Sequence, residues 1–142
     1  MPTLINYNRA ILSNLADSSD IILTDTPTLL LEFGLSVTQT PNFVELLSTV
    51  GWTAESRKNK QPTLQLRILQ DGVLVASIRQ DAVDSEEGSN SPSNNLSTFQ
   101  AVLTNVPVNQ QHVYQLFALN ENPRHGSITV TGPVNITGKV IA

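Results

Sequence analysis

Residues 63–80 read TLQLRILQDGVLVASIRQ, and this stretch decides the fold class. The apolar residues at positions 64, 66 and 68 alternate with polar ones, which is the two-residue period of a β-strand with one buried face. Asp71-Gly72 is a strong turn signal, and a second apolar segment follows it. The stretch therefore predicts a β-hairpin.

The side chains of this hairpin favour one register. A two-residue loop would place Leu64 opposite Arg79 and mix apolar with charged residues on one face. A three-residue loop over 70–72, with a left-handed glycine, collects the apolar residues on one face instead. We therefore predict the pairs Ile68–Leu74, Leu66–Ala76 and Leu64–Ile78.

Similar segments lie on both sides of the hairpin. Thr28–Val37 and Phe43–Trp52 flank a break around Pro41, and the second segment alternates. Leu47 departs from that alternation, which indicates that some strands are covered on both faces. The inward residues of that segment are predicted to be Val44, Leu46, Val50 and Trp52. The later strands are predicted at Leu96–Leu103, His112–Leu119, Ser127–Thr131 and Val134–Ile141, with Pro133 at an edge or a bulge.

The strand pattern predicts an all-β protein. Roughly eight short strands with turn signals between them and no helical segment are typical of an antiparallel β-sandwich of jelly-roll type. An immunoglobulin-like sandwich is the alternative. That fold usually carries a Cys-Trp-Cys pattern, whereas this sequence has Trp52 and no cysteine.

The length of 142 residues fits one domain. We assign residues 1–20 to an N-terminal arm or connector, because they match neither period cleanly, and residues 21–142 to the jelly-roll domain. Residues 81–95 read DAVDSEEGSNSPSNN, which is acidic and offers almost nothing to bury. This segment is predicted to be an exposed acidic loop.

Charge and composition exclude several function classes. Twelve acidic against eight basic residues give a net charge of -4, which disfavours a phosphate-binding surface and therefore nucleic acid. The absence of cysteine excludes thiolate metal sites and a thiol nucleophile. No stretch is apolar enough to predict a membrane span, and the first residues lack the pattern of a secretory signal, so we expect synthesis in the cytosol.

No residue constellation predicts catalysis. His112 and His125 are the only histidines, and their spacing suggests no further metal ligands. The sequence has no Gly-x-Ser-x-Gly elbow and no phosphate-binding glycine loop. We therefore expect a protein that is not an enzyme, with no catalytic residue, no cofactor and no metal.

Several motifs carry a resemblance to a known family. They are Gly51-Trp52, LQLRILQDG at 64–72, YQL at 114–116 and GSITVTGPV at 126–134. With the strand pattern of residues 21–142, they resemble the TNF/C1q-like jelly-roll domains of Bacillus-type spore-surface proteins. The resemblance implies a homo-oligomer in an exosporium or an endospore appendage fibre. The collagen-like Gly-X-Y stalk that often precedes such domains is absent from this sequence.

The N-terminal arm is the candidate functional segment. Sheet edges are open hydrogen-bonding templates, so an extended segment from a neighbouring copy can complete them. The alternative is that the arm folds back on its own domain, and residues 11, 12 and 15 also fit one helix face. The candidate assembly residues are Leu4, Ile5, Tyr7, Ile11, Leu12 and Leu15.

These observations favour a non-enzymatic structural subunit. We expect it to self-assemble into a fibre or surface layer, through its arm and sheet surfaces, at a bacterial spore surface. Its expected partners are copies of itself and other spore-surface proteins, without nucleic acid or membrane. The alternative is a trimeric receptor- or glycan-binding head, as in phage fibres or C1q-like proteins, that uses loops 81–95 and 120–126.

Overall fold

The computed structural model describes residues 2–57, 59–83 and 92–142, and all its regular elements are β-strands. The prediction of an all-β protein is confirmed. Nine strands are present among these residues, one more than the sequence suggested. They are β1 (Leu4–Ser13), β2 (Ile21–Ile22), β3 (Thr28–Val37), β4 (Phe43–Ser56), β5 (Thr63–Gln70), β6 (Val73–Asp81), β7 (Ser93–Thr104), β8 (Asn109–Asn120) and β9 (Gly126–Ile141).

The strands form two antiparallel sheets packed as a β-sandwich, as predicted. The five-stranded sheet has the order β1-β9-β4-β7, and the short strand β2 also pairs with β9. The four-stranded sheet has the order β3-β8-β5-β6. Every pair is antiparallel, including the long-range pairs of β9 with β1 and β4.

The core lies between the two sheets. The four residues predicted to face inward on β4, among them Leu46 and Trp52, are at most 1% exposed, which confirms their assignment. They pack with the inward residues of the four-stranded sheet, such as Leu66 and Leu116. The alternation of buried and outward residues along β4 and β7 follows from the two-residue period of a strand.

The predicted three-residue loop of the β5–β6 hairpin is wrong. Gln70 pairs with Val73, so the turn has two residues. Both Asp71 (φ 51°) and Gly72 (φ 83°) have positive φ angles. This conformation is that of a type I′ turn, whose twist matches the twist of the paired strands.

A β-bulge next to this turn changes the remaining register. The shift falls between Ile68 and Leu69, and beyond it Ile68 pairs with Ala76 and Leu66 with Ile78. These pairs differ from the predicted ones by two residues. Because side chains alternate with a period of two, Leu66, Ile68, Ala76 and Ile78 keep their predicted face. The predicted inward face of Leu74 is wrong, because Leu74 lies on the turn side of the bulge, pairs with Leu69 and is 55% exposed.

The predicted strands 127–131 and 134–141 are one strand, β9. The pairing of β9 with β4 shifts between Val50 and Trp52, which is opposite Gly132-Pro133. Pro133 therefore lies at a bulge, as its missing N–H requires. Gly51 is needed at this point, because a Cβ atom there would lie 2.0 Å from the Gly132 carbonyl oxygen.

The acidic segment is bounded more narrowly than predicted. Asp81 ends β6, and residues 93–95 begin β7. Asn95 is buried, and its side-chain oxygen accepts a hydrogen bond from Val83 N at 3.0 Å. Residues 84–91 of the predicted loop lie outside the described residues.

Candidate functional site

Large apolar side chains gather on the outer face of the five-stranded sheet. Side chains that alternate with the buried ones on β1, β4, β7 and β9 point away from the core to this face. Eight large apolar residues on it are exposed. We call them the apolar face: Leu4, Tyr7, Ile11, Ile22, Phe43, Leu47, Leu96 and Val102.

Strand register makes part of this face continuous. Leu4 pairs with Ile141, and Ile141 pairs with Phe43, so three apolar side chains form one row across β1, β9 and β4. Phe43 and Leu47 flank Val102 diagonally across the β4–β7 pair. Diagonal neighbours on a sheet are about 7–8 Å apart, within reach of large side chains. The row and the diagonal meet at Phe43.

Charge is sparse on this surface. Among the described strand residues of the five-stranded sheet, four charged side chains face outward: Arg9, Glu45, Glu55 and Lys139. Glu45 and Lys139 stand opposite each other on β4 and β9. The whole of β7, residues 93–104, carries no charge. Depletion of charge with apolar and aromatic enrichment is typical of the centre of protein interfaces.

A cleft opens at one end of the apolar face, where β1 begins and β9 ends. Its volume is about 520 Å³, and its apolar lining includes Pro2, Pro41, Phe43 and Ile141. We call it the terminal cleft. Thr104 and Asn105 at the end of β7 form another part of its wall.

Asparagine hydrogen bonds brace the wall of the terminal cleft. Asn42 is 3% exposed, and its side-chain amide donates to Val106 O while its side-chain oxygen accepts from Val106 N, both at 2.9 Å. Asn105 N donates to Asn42 O at 2.8 Å. These bonds tie the 38–42 and 105–108 loops together, so the cleft is preformed.

The structure gives the N-terminal arm a definite conformation. Residues Leu4–Ser13 form an edge strand, β1, that pairs with β9 of the same chain. The arm thus folds back on its own domain, which was one of the two expected alternatives. The helix face suggested for residues 11, 12 and 15 is wrong. Residues 11 and 12 belong to strand β1, whose backbone pairs with β9.

The candidate arm residues divide into three groups. Leu4, Tyr7 and Ile11 lie on the apolar face, whereas Ile5 packs against the core. Leu12 is exposed at a register shift near the end of β1. Leu15 lies in the loop that follows and is also exposed.

Strand β1 presents mainly polar groups to the rest of the sandwich. Asn6 Nδ2 donates to Ser36 O at 3.1 Å, and Asn8 Nδ2 donates to Gly34 O at 2.6 Å. Ala10 and Ile5 supply the apolar contact between β1 and the core. Hydrogen bonds therefore carry much of the attachment of β1, and its larger side chains remain available outside.

Sequence reasoning missed the part of the apolar face that β4 and β7 contribute. Phe43, Leu47, Leu96 and Val102 were not among the candidate residues. Leu47 gave one local signal, since it departs from the alternation of its segment. The other three become neighbours of the arm only through long-range strand pairing.

The two histidines lie apart. His112 is 3% exposed near the start of β8, with Nδ1 2.6 Å from Asp71 Oδ2 and Nε2 2.7 Å from Pro107 O. His125 lies in the β8–β9 loop, where its carbonyl oxygen accepts a hydrogen bond from Arg57 N. Within residues 2–57, 59–83 and 92–142, no three histidine or carboxylate side chains are grouped to hold a metal ion. The same residues include no helix long and apolar enough to cross a membrane.

Comparison with known proteins supports the fold. No protein-family model and no curated protein matches the sequence. The crystal structure of dimeric latent PorU from Porphyromonas gingivalis is similar over 98% of this chain, with a TM-score of 0.53 and 14% identity. This chain spans 13% of the PorU chain. At this identity the likeness shows the β-sandwich fold alone.

Proposed function

We propose that this chain is a non-enzymatic structural subunit that assembles with copies of itself into a fibre or surface layer through the apolar face. The observation that carries the proposal is the concentration of eight exposed large apolar residues on one sheet surface. Soluble domains rarely leave such a surface uncovered unless it binds something. A second copy offers the same surface, and sparse charge allows close approach.

The dimensions of this surface suit a protein interface. Four strands spaced about 4.8 Å apart, each with about ten residues rising about 3.3 Å, span a plane of about 600 Å². A standard interface buries about 800 Å² of accessible surface per partner. Side chains that project from the sheet make its accessible surface larger than the planar area. Burying a large apolar side chain contributes about 1.5–3 kcal/mol, so a few of these residues suffice for association.

The strand order supports the jelly-roll type for this sandwich. The pairs β1–β9, β3–β8, β4–β7 and β5–β6 are nested along the chain and alternate between the two sheets. Such nesting is what a jelly roll requires. The sequence resemblance to spore-surface domains then favours an exosporium or appendage, with other spore-surface proteins as further partners. Antibody labelling of intact spores of the source organism tests this location.

A charge substitution on the apolar face tests self-assembly. We expect the full-length chain to form oligomers in sedimentation velocity, and the double variant L47D/V102D to form markedly smaller species at the same concentration. The matched control is L29D/L74D, which places two charges at exposed leucines of the four-stranded sheet. A monomeric wild type, or equal loss of assembly in both variants, would contradict the proposal.

A binding head is the second candidate, because charged loops meet at the opposite end of the sandwich from the terminal cleft. The β4–β5 and β8–β9 loops are joined by the Arg57 N–His125 O hydrogen bond of 2.8 Å. They carry Arg57, Lys60, Glu121 and Arg124. A discrete trimer that binds a glycan saturably, with binding lost in R57A/R124A, would favour this function over the structural one.

A further inference from the structure

Leu15 is the most exposed large apolar residue that the structure describes, with 71% of its surface accessible. It lies in the loop between β1 and β2, at the end of β1 remote from the terminal cleft. Apolar side chains in loops are ordinarily tolerated singly. The backbone of Leu15 is held in place by hydrogen bonds to two serine side chains.

Serine side chains and backbone groups fix the conformation around Leu15. Leu15 N donates to Ser13 Oγ at 3.0 Å, and Ser18 Oγ donates to Leu15 O at 2.6 Å. The backbone N–H groups of Ser18 and Ser19 both donate to Thr131 O on β9. The loop is therefore pinned to the five-stranded sheet, and the leucine side chain projects from a preorganised segment.

Leu15 cannot fill the terminal cleft of its own chain. The Leu15 loop contacts β9 at Gly132, where a Cβ atom would lie 2.7 Å from Leu15 O. The cleft is lined by Ile141, nine residues further along β9. At about 3.3 Å per residue the two points are about 30 Å apart. Leu15 can therefore meet a terminal cleft only when the cleft belongs to another copy of the chain.

The terminal cleft suits an apolar side chain from a partner. Its volume of about 520 Å³ lies in the range of clefts that hold small ligands, so it has room for a leucine and flanking atoms. Proline, phenylalanine and isoleucine side chains line it. Its bracing by Asn42 and Asn105 reduces the entropic cost of filling it.

Charges around the two features are complementary. Asp17 and Asp20 are exposed beside Leu15, whereas Lys139 is exposed two residues before Ile141, with Arg9 further along the same face. Glu45 lies next to Lys139, so the cleft side carries a net positive charge of one among these three residues. In the part of the chain that the structure describes, Asp17, Asp20 and Lys139 take part in no ion pair.

We propose that Leu15 of one copy inserts into the terminal cleft of a second copy of this chain, with Asp17 and Asp20 near the partner's Lys139. The inference rests on the proposed function and names how successive copies join. The Leu15 side chain, which we call the knob, and the terminal cleft are different surfaces, so the contact is heterologous. The joined pair still offers one free knob and one free cleft. Repetition of such a contact produces an open fibre, or a ring where the rotation closes.

Two single variants test the contact from each side. L15N removes the knob, and T104W fills the cleft at an exposed wall residue. We expect each to weaken end-to-end association at least tenfold in sedimentation velocity and to abolish elongated particles in negative-stain microscopy. The controls L29N and S77W, at exposed sites on the four-stranded sheet, should elongate like the wild type. Thermal unfolding establishes that all four variants fold.

Mixing the two variants distinguishes a heterologous contact from a symmetric one. L15N keeps its cleft and T104W keeps its knob, so a mixture of differently labelled chains should form one junction per pair and give energy transfer that neither variant gives alone. No gain on mixing would overturn the proposal. Discrete wild-type oligomers that L15N leaves unchanged would overturn the knob contact while the apolar face stands. A wild type that remains monomeric would overturn both.

Discussion

The imidazole Nδ1 of His112 lies 2.6 Å from the Asp71 carboxylate, and this contact joins the β5–β6 turn to the start of β8. Asp71 also exchanges hydrogen bonds with Val113, accepting from Val113 N and donating its own N–H to Val113 O, both at 2.8 Å. The other ring nitrogen of His112 is 2.7 Å from Pro107 O. One buried ring therefore connects the β5–β6 turn to the 105–108 loop, whose Asn105 lines the terminal cleft.

Replacing His112 with phenylalanine should destabilise the fold. The substitution leaves the Asp71 carboxylate and Pro107 O without their ring partners, and such losses cost about 1–3 kcal/mol. Urea unfolding measures the change in the free energy of unfolding. The control H125A alters a histidine in the β8–β9 loop and should stay within about 0.5 kcal/mol of the wild type. Equal effects of the two variants would contradict the role of the His112 contacts.

Protonation of Asp71 should make the free energy of unfolding fall at low pH. The hydrogen bond from Val113 N, followed by the hydrogen bond and charge of His112, lowers the pKa of Asp71 below its ordinary value of 3.8, although partial desolvation opposes this. A lowered folded-state pKa means that the stabilisation is full above the unfolded-state pKa and is lost as pH falls through the folded-state value. Urea midpoints between pH 2 and 6 should fall more steeply on acidification in the wild type than in D71N. Parallel curves for the two proteins would refute this assignment.

Gly51 should tolerate no side chain, in contrast to Gly34. A Cβ atom at Gly51 meets the Gly132 backbone oxygen at 2.0 Å, and backbone of paired strands cannot move aside cheaply. A Cβ atom at Gly34 meets the flexible end of the Gln111 side chain, which can rotate away. We expect G51A to cost about 1–3 kcal/mol or more and G34A much less, measured by urea unfolding. A G34A cost as large as that of G51A would contradict this interpretation.

Ser97 should be needed by the buried indole of Trp52. Trp52 Nε1 donates to Ser97 Oγ at 2.9 Å, and Ser97 Oγ donates to Gln80 Oε1 at 2.6 Å. S97A leaves the indole N–H buried without an acceptor, at a cost of about 1–3 kcal/mol. Trp52 is the one tryptophan of the chain, so its fluorescence reports the unfolding directly. The exposed substitution S77A should change little; a similar loss in S77A would show that the network is not the cause.

The β-hairpin illustrates how far a local pattern reaches. Alternation of apolar residues predicted the face of β5 and of Ala76 and Ile78 on β6 correctly, because side-chain period is a property of any strand. It was wrong for Leu74, which lies on the turn side of the β-bulge. The register was wrong because a bulge follows the turn. Asp71 in that turn is bonded to His112 and Val113, residues more than forty positions away, so local side-chain matching had no access to this constraint.

The apolar face shows the same limit for the functional surface. The arm supplied Leu4, Tyr7 and Ile11, which an apolar pattern in a polar segment identifies. Phe43 and Val102 join them only because β9 lies between β1 and β4, and β7 lies beyond β4. The terminal cleft depends on the same pairing, together with the loop contact between Asn42 and Asn105. The spacing of residues along the sequence does not predict which strands lie side by side, so these contacts could not be predicted from it.

Because the chain contains no cysteine, a single introduced thiol can report directly whether the apolar face is covered by another copy. Thr98 faces outward on β7 within this surface, and Ser77 is exposed on the four-stranded sheet. The measurement is the rate of thiol modification of T98C and S77C as the concentration of the chain is raised. The rate at T98C should fall while the rate at S77C stays constant. Equal, concentration-independent rates at both positions would contradict assembly through the apolar face.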